Sequence, residues 1–180
     1  MAFAHDLNII GSSADFEAFD GMHHGEILSD HDGEKTVSIT MRDVNIHHTN
    51  GDFLVIDTGS PHFITEVPDP DKIDVRAEGR KIRNDKSISE DGVNVNFINW
   101  DGKLLFIRTY ERGVEDETLA CGTGITASAI ATAYWHGANH IDVKAKGGDL
   151  HVDLERHGDL FENIVLTGPA RLSFSGDIQA

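Results

Sequence analysis

Apolar positions along the chain fall into short runs broken by tight turns, with one longer apolar stretch in their midst. From Ile125 to His136 the residues are small or apolar on every side, so no solvent-facing stripe can be drawn. Such a segment predicts a helix enclosed by other elements, and at about a dozen residues it is too short to cross a bilayer. Runs near 14–19, 22–28 and 36–41 are separated by Asp20-Gly21 and Asp32-Gly33, which favour tight turns and predict an antiparallel meander. Phe53–Asp57 is another run; it ends at a polar elbow, Thr58-Gly59-Ser60-Pro61-His62, and the pattern resumes over Phe63–Val67. After the turn at Pro68–Asp71, residues 73–85 predict a short helix or irregular connection. The clearest hairpin pairs Val93–Asn99 with Lys103–Tyr110 around Asp101-Gly102. In its first strand Val93, Val95 and Phe97 share one face, while Asn94 and Asn96 share the other, the pattern of a strand with one side in water. Further strands are expected near 140–145, 149–155, 161–167 and 170–176, with breaks at Gly147-Gly148, Gly158 and Gly168-Pro169. At the other end, Phe3, Leu7 and Ile10 ahead of Gly11 predict that the chain opens inside a helix, with no start residue in front of it.

The segment before the central helix carries the chemistry. Cys121-Gly122-Thr123-Gly124 places a thiol beside two glycines at a helix start, where the backbone can approach a ligand closely and unpaired amides point outward. Those amides would hold an anion such as a carboxylate, and would stabilise charge developing on it when the adjacent carbon loses a proton. The helix terminus is expected to lower the pKa of the Cys121 thiol and make it a base or nucleophile. The competing reading is a cysteine that is one more small buried apolar residue.

Composition narrows the classes. Fifteen basic residues against 31 acidic ones give a net charge of −16 with no basic run, which argues against nucleic acid or an anionic membrane as a partner. One cysteine excludes an internal disulfide and fits a reducing compartment, and the N-terminus lacks a secretion signal, so a cytoplasmic location is expected. Eleven histidines raise the question of a metal, with His23-His24 and His47-His48 as the obvious candidates. Neighbouring residues on a strand point to opposite faces, so neither pair can hold one ion, and no metal or other cofactor is expected.

Taken together, Glu111-Arg112-Gly113 and Glu117-Thr118-Leu119-Ala120-Cys121-Gly122-Thr123-Gly124 resemble an active-site signature of the diaminopimelate epimerase family. Gly59-Ser60-Pro61-His62 is similar to the family's GNPH loop, Gly92–Phe97 to its substrate-binding asparagine strand, and Leu166–Ala170 to its closing strand, all in the family's order. The resemblance implies an α/β (α+β) fold of two pseudo-symmetric domains, each a curved, mostly antiparallel sheet around a central helix. Residues 1–48 plus 169–180 would be a remnant of the first domain, and 49–168 the second. It implies a cofactor-independent epimerase that interconverts LL- and meso-diaminopimelate, a small-molecule diamino acid. Cys121 would be one of two acid/base cysteines, and Gly122 and Thr123 would bind the reacting carboxylate through their amides. Asn94, Glu111 and Arg112 would fix the distal amino acid end or frame the site, with Ser60 and His62 nearby.

Two departures are visible. Ser60 stands where the family has asparagine, and the family's first glycine-rich motif, with the partner cysteine, has no counterpart in this sequence. The expectation is a chain lacking the start of its first domain, inactive or half-active alone, with apolar sheet exposed and a tendency to self-associate. A homodimer that brings two copies of Cys121 together is one way to complete the pair. The alternatives are a non-catalytic amino-acid-binding module and a related racemase or isomerase with another substrate.

Overall fold

The computed structural model describes residues 1–46 and 49–176; His47, His48 and residues 177–180 lie outside the described residues. Strands β1 (Ser13–Ala18), β2 (Gly21–His31) and β3 (Glu34–Thr40) form the expected meander. Two short strands follow, β4 (Val44–Asn45) and β5 (Thr49–Asn50), then β6 (Phe53–Asp57) and β7 (Pro61–Glu66) on either side of the polar elbow. Helix α2 (Val75–Arg83) leads to the hairpin of β8 (Asn94–Trp100) and β9 (Leu104–Glu111), and β10 (Asp116–Thr118) folds back on β9. Helix α3 (Gly122–His136) precedes β11 (His140–Ala145), β12 (Gly148–His157) and β13 (Leu160–Arg171). The described residues make one mixed 13-stranded sheet in the order β1-β2-β3-β13-β12-β11-β9-β8-β7-β6-β5, with β10 on β9 and β4 on β13. Pairing is antiparallel except between β7 and β8 and between β9 and β11.

The sheet curls around α3, which lies against β6, β7, β8, β9, β11, β12 and β13. Every residue from Gly124 to Ala133 is buried, because the small side chains of this stretch let strands approach from all directions. Gly137 ends the helix in the left-handed conformation at φ 75°, a cap that glycine adopts without steric cost. Ile125, Ile130, Leu54, Ile64, Ile98, Leu105, Ile141 and Phe161 belong to this core. A second cluster on the opposite face of β8 and β9 joins Val93, Val95, Phe97 and Tyr110 to Val75 of α2. The close approach of α2 depends on Gly79, where a Cβ would lie 2.4 Å from that of Tyr110.

Two local expectations fail. The opening helix, α1, is only Ala2–Asp6 and buries no residue, because Phe3 and Leu7 find no layer to pack against. The break at Gly168-Pro169 is absent: β13 runs through it, pairing with β12 over Leu160–Thr167 and with β3 over Val165–Arg171. Pairing with β12 ends at Thr167, so Pro169 lies where one side of the strand is a free edge and its missing N–H costs no ladder bond there. β13 thereby joins the β1–β3 meander to the sheet around α3.

Candidate active site

Three segments converge at the N-terminus of α3. Cys121 is its N-cap, in extended conformation (φ −128°, ψ 111°), and Ile125 N–H donates the first helical bond to the Cys121 carbonyl at 2.8 Å. The amides of Gly122, Thr123 and Gly124 precede that bond and belong to the turn that a helix leaves without internal acceptors. On the approach to Cys121, Arg108 grips Glu117 with two bonds of 2.7 and 2.8 Å, and Lys146 reaches the same carboxylate at 2.7 Å. Thr58 Oγ1 donates to the Thr123 carbonyl at 2.8 Å, fastening the polar elbow to the helix start.

His62 is fully buried behind the thiol. Its Nε2 lies 3.0 Å from Thr123 Oγ1 and 3.3 Å from Ser60 Oγ, and Thr123 Oγ1 lies 3.5 Å from Cys121 Sγ. Burial pushes the His62 pKa down to about 4, with the Arg112 charge adding to the effect and Asp57 opposing it, so the ring is neutral at pH 7. The Cys121 thiol is shifted up, chiefly by burial and further by the nearby Glu111 carboxylate. Hydrogen bonds from the Thr123 hydroxyl and from the Gly124 and Thr123 amides act in the other direction. This corrects the expectation of a lowered thiol pKa: the helix terminus does favour thiolate, but desolvation outweighs it.

Asn94 and Asn96 do not face water. Both are buried, because the N-terminus of α3 lies on their side of β8 and supplies polar groups to pair with. Asn94 Nδ2 donates to Ser60 Oγ at 2.6 Å and to the Pro61 carbonyl at 3.1 Å, while its Oδ1 accepts from the Arg112 N–H at 2.9 Å. Ser60 is thus tied into the frame of the site. The Arg112 guanidinium donates to the Gly92 carbonyl at 3.1 Å, and among the described ion pairs none joins it to Glu111. Cys121, Gly122, Thr123, Ser60, His62, Asn94 and Arg112 therefore meet in one place, with Glu111 close enough to act on the thiol. Sequence reasoning placed Thr58 and Gly124 within the site segments without giving either a role of its own, and left Asn96 on a wet face. A Cβ at Gly124 would lie 2.8 Å from Asn96 Oδ1 and 3.2 Å from His62 Cε1, so this glycine is required for close approach. The available signal for Asn96 was an amide flanked by apolar residues two positions from another amide, opposite a strand bearing a histidine.

A chemistry follows from these contacts. The amides at the start of α3 suit a carboxylate, and the thiol beside them suits removal and return of a proton at the neighbouring carbon.

The family model described as diaminopimelate epimerase matches residues 54–173. A protein of Flavobacterium psychrophilum named diaminopimelate epimerase is 40% identical over 99% of this chain and 69% of its own length. One of the same name from Chlorobaculum tepidum is 38% identical over 98% of this chain and 70% of its own. The chain thus spans about two thirds of the length of these relatives. Among solved structures, a hydroxyproline epimerase from Agrobacterium vitis superposes with a TM-score of 0.74 at 15% identity, over 96% of this chain and 63% of that one. A probable proline racemase from Agrobacterium radiobacter gives 0.66 at 15% identity over 97% and 65%. These two similarities bear on the fold alone.

Proposed function

The chain belongs to the diaminopimelate epimerase family, and on that premise we propose that it forms one half of an acid/base site acting on a small diamino acid, diaminopimelate. The observation that carries the reading is the placement of Cys121 at the N-cap of a buried helix, with a line of polar groups behind it and the amides of the first helical turn beside it. The substrate's α-carboxylate sits against the amides of Gly122 and Thr123. The Cys121 thiolate takes the α-proton, and the electron pair of the C–H bond passes into the carboxylate, whose added charge those amides stabilise. Return of a proton from Cys121 restores the original configuration. Inversion needs a second donor on the opposite face of the carbon, and this sequence holds a single cysteine. His62 cannot fill that place, since it lies on the protein side of Cys121, behind Thr123.

Asn94 and Arg112, with Ser60, frame the pocket that receives the distal end of the diamino acid, and Glu111 opposes premature ionisation of the thiol. A free thiol as the working group suits a reducing compartment such as the cytoplasm. Among the described residues no helix is long and apolar enough to cross a membrane.

The test is incubation of the purified chain with LL-diaminopimelate in D2O, following α-deuteration and the meso isomer. Deuteration without inversion, lost in Cys121→Ser, is the expected result. Meso product above that control means a second base within the chain or a homodimer, and ends the half-site reading. Absence of both signals, with diaminopimelate still bound, identifies a binding module instead.

A further inference from the structure

The hydrogen-bonded row behind Cys121 does not begin at His62. Asn96 Nδ2 lies 3.1 Å from His62 Nδ1, and both residues are fully buried. The amide has one orientation: its Nδ2 also faces the Phe63 carbonyl at 3.4 Å, which can only accept. Its Oδ1 accepts from the Thr109 hydroxyl at 2.9 Å. An amide NH2 offered to His62 Nδ1 requires a lone pair there, so the ring proton of the neutral imidazole sits on Nε2. The Nε2–H then faces two hydroxyl oxygens, Thr123 Oγ1 at 3.0 Å and Ser60 Oγ at 3.3 Å; donated to the nearer, it leaves the Thr123 hydroxyl proton to donate to Cys121 Sγ at 3.5 Å. With the other tautomer the row would run backwards: Nε2 would accept from Thr123, and the sulfur would lose its hydroxyl donor and keep only the Thr123 and Gly124 amides.

We propose that Asn96 is a positioning residue for Cys121: held by Thr109 and the Phe63 carbonyl, it fixes the His62 tautomer and so directs the Thr123 hydroxyl toward the sulfur. The side-chain partners of Asn96 are His62, Thr109 and the Phe63 carbonyl, and the thiol is not among them. Its role rests on the reading of Cys121 as the acid/base group, but the arrangement itself is a property of the unliganded protein. The direction of the row matters because the thiol is buried, and a donated hydrogen bond is one of the few features that offset its desolvation. Other charges face the same groups: Glu111 faces Cys121, and Asp57 and Arg112 face His62. Gly124 belongs to the same device, since a side chain there would strike both Asn96 and His62.

The direct experiment is 15N NMR of histidine-labelled protein across pH 5 to 9. His62 should show the neutral Nε2–H pattern throughout, and Asn96→Asp, which puts an acceptor opposite Nδ1, should replace it with a pattern in which Nδ1 is protonated. An Nδ1–H pattern in the unaltered chain overturns the proposal. A second measurement follows the rate of Cys121 alkylation against pH in an Asn96→Leu/Thr109→Val double variant, which removes both polar partners together. The midpoint should move up by about one pH unit, roughly a tenfold loss of thiolate at pH below it. An unchanged midpoint in a folded double variant overturns the proposal. If that variant does not fold, the NMR experiment on the unaltered chain decides. Neither measurement needs turnover. A chain that fails the deuterium experiment yet shows the Nε2–H pattern and the shifted midpoint supports this inference while ending the catalytic one.

Discussion

The sheet around α3 and the β1–β3 meander are parts of one continuous hydrogen-bonded surface, yet they are stabilised very differently. Around α3 the strands have a second layer, and residues such as Ile64, Ile98, Leu105, Ile130 and Ile141 are wholly buried. In β1–β3 and the chain ends beside them, Phe3, Leu7, Ile9, Phe19, Met22, Leu28, Leu172 and Phe174 are all exposed, Phe19 completely. The meander buries His23, Gly25, Lys35 and Val37 and little else. Lys35 bridges Asp6 and Asp30 at 2.6 and 3.0 Å, so part of what ties α1 to this sheet is charge rather than apolar contact. Backbone pairing alone therefore gives strand geometry without a core. The difference between the regions is the difference between a 15-residue helix with a ten-residue buried run and a five-residue helix with none.

The largest expected contrast is in stability. Ile130→Ala, in the centre of α3, should cost about 2–5 kcal/mol in urea denaturation, while Leu28→Ala in the meander should change stability by less than about 0.5 kcal/mol. Equal effects would mean that the meander is covered in solution.

The next contrast is in pH. His62, buried and neutral in the folded chain with a pKa of about 4, takes up a proton near 6.5 when unfolded. The unfolded state binds the extra proton between those values, so stability around α3 should fall as pH drops through that window, by on the order of 3 kcal/mol. His23 in β2 is shifted the other way, by its bond to the Thr40 carbonyl and by Asp20, which together outweigh desolvation. Its contribution is complete below the unfolded value near 6.5 and is lost as pH rises through its higher folded value. Hydrogen exchange resolved by residue, corrected for the intrinsic rate, should show β2 and β3 opening more readily at alkaline pH and β7 and β8 at acidic pH. The same trend in both regions would break the comparison.

A smaller pair concerns glycines. Gly124→Ala should cost about 1–3 kcal/mol by overpacking against Asn96 and His62 and should lower α-deuteration. Gly11→Ala, with nothing within 4 Å of the added Cβ, should leave both stability and deuteration close to their starting values. The smallest effect is expected from Lys35→Met, which should speed exchange of the α1 amides and leave α3 untouched.

Hairpins, the enclosed helix and the candidate site loops were legible in the sequence because each depends on neighbours a few residues away. Asp-Gly turns set the meander, the small and apolar run of 125–136 set α3, and Cys121-Gly122-Thr123-Gly124 marked the helix start that carries the thiol. Only the tertiary structure decided what surrounds them. The face carrying Asn94 and Asn96 is dry because α3 docks on it; β13 continues past Pro169 because β3 pairs alongside; and α1 stays short because its large apolar side chain, Phe3, and the adjoining Leu7 find no layer to bury them. The same holds for the thiol: the sequence supplied the helix terminus that favours its charge, and the fold supplied the burial that opposes it. Turn and periodicity signals are local in the chain, whereas desolvation and hydrogen-bond direction are fixed by groups that lie far apart in sequence and meet only when the sheet closes around α3.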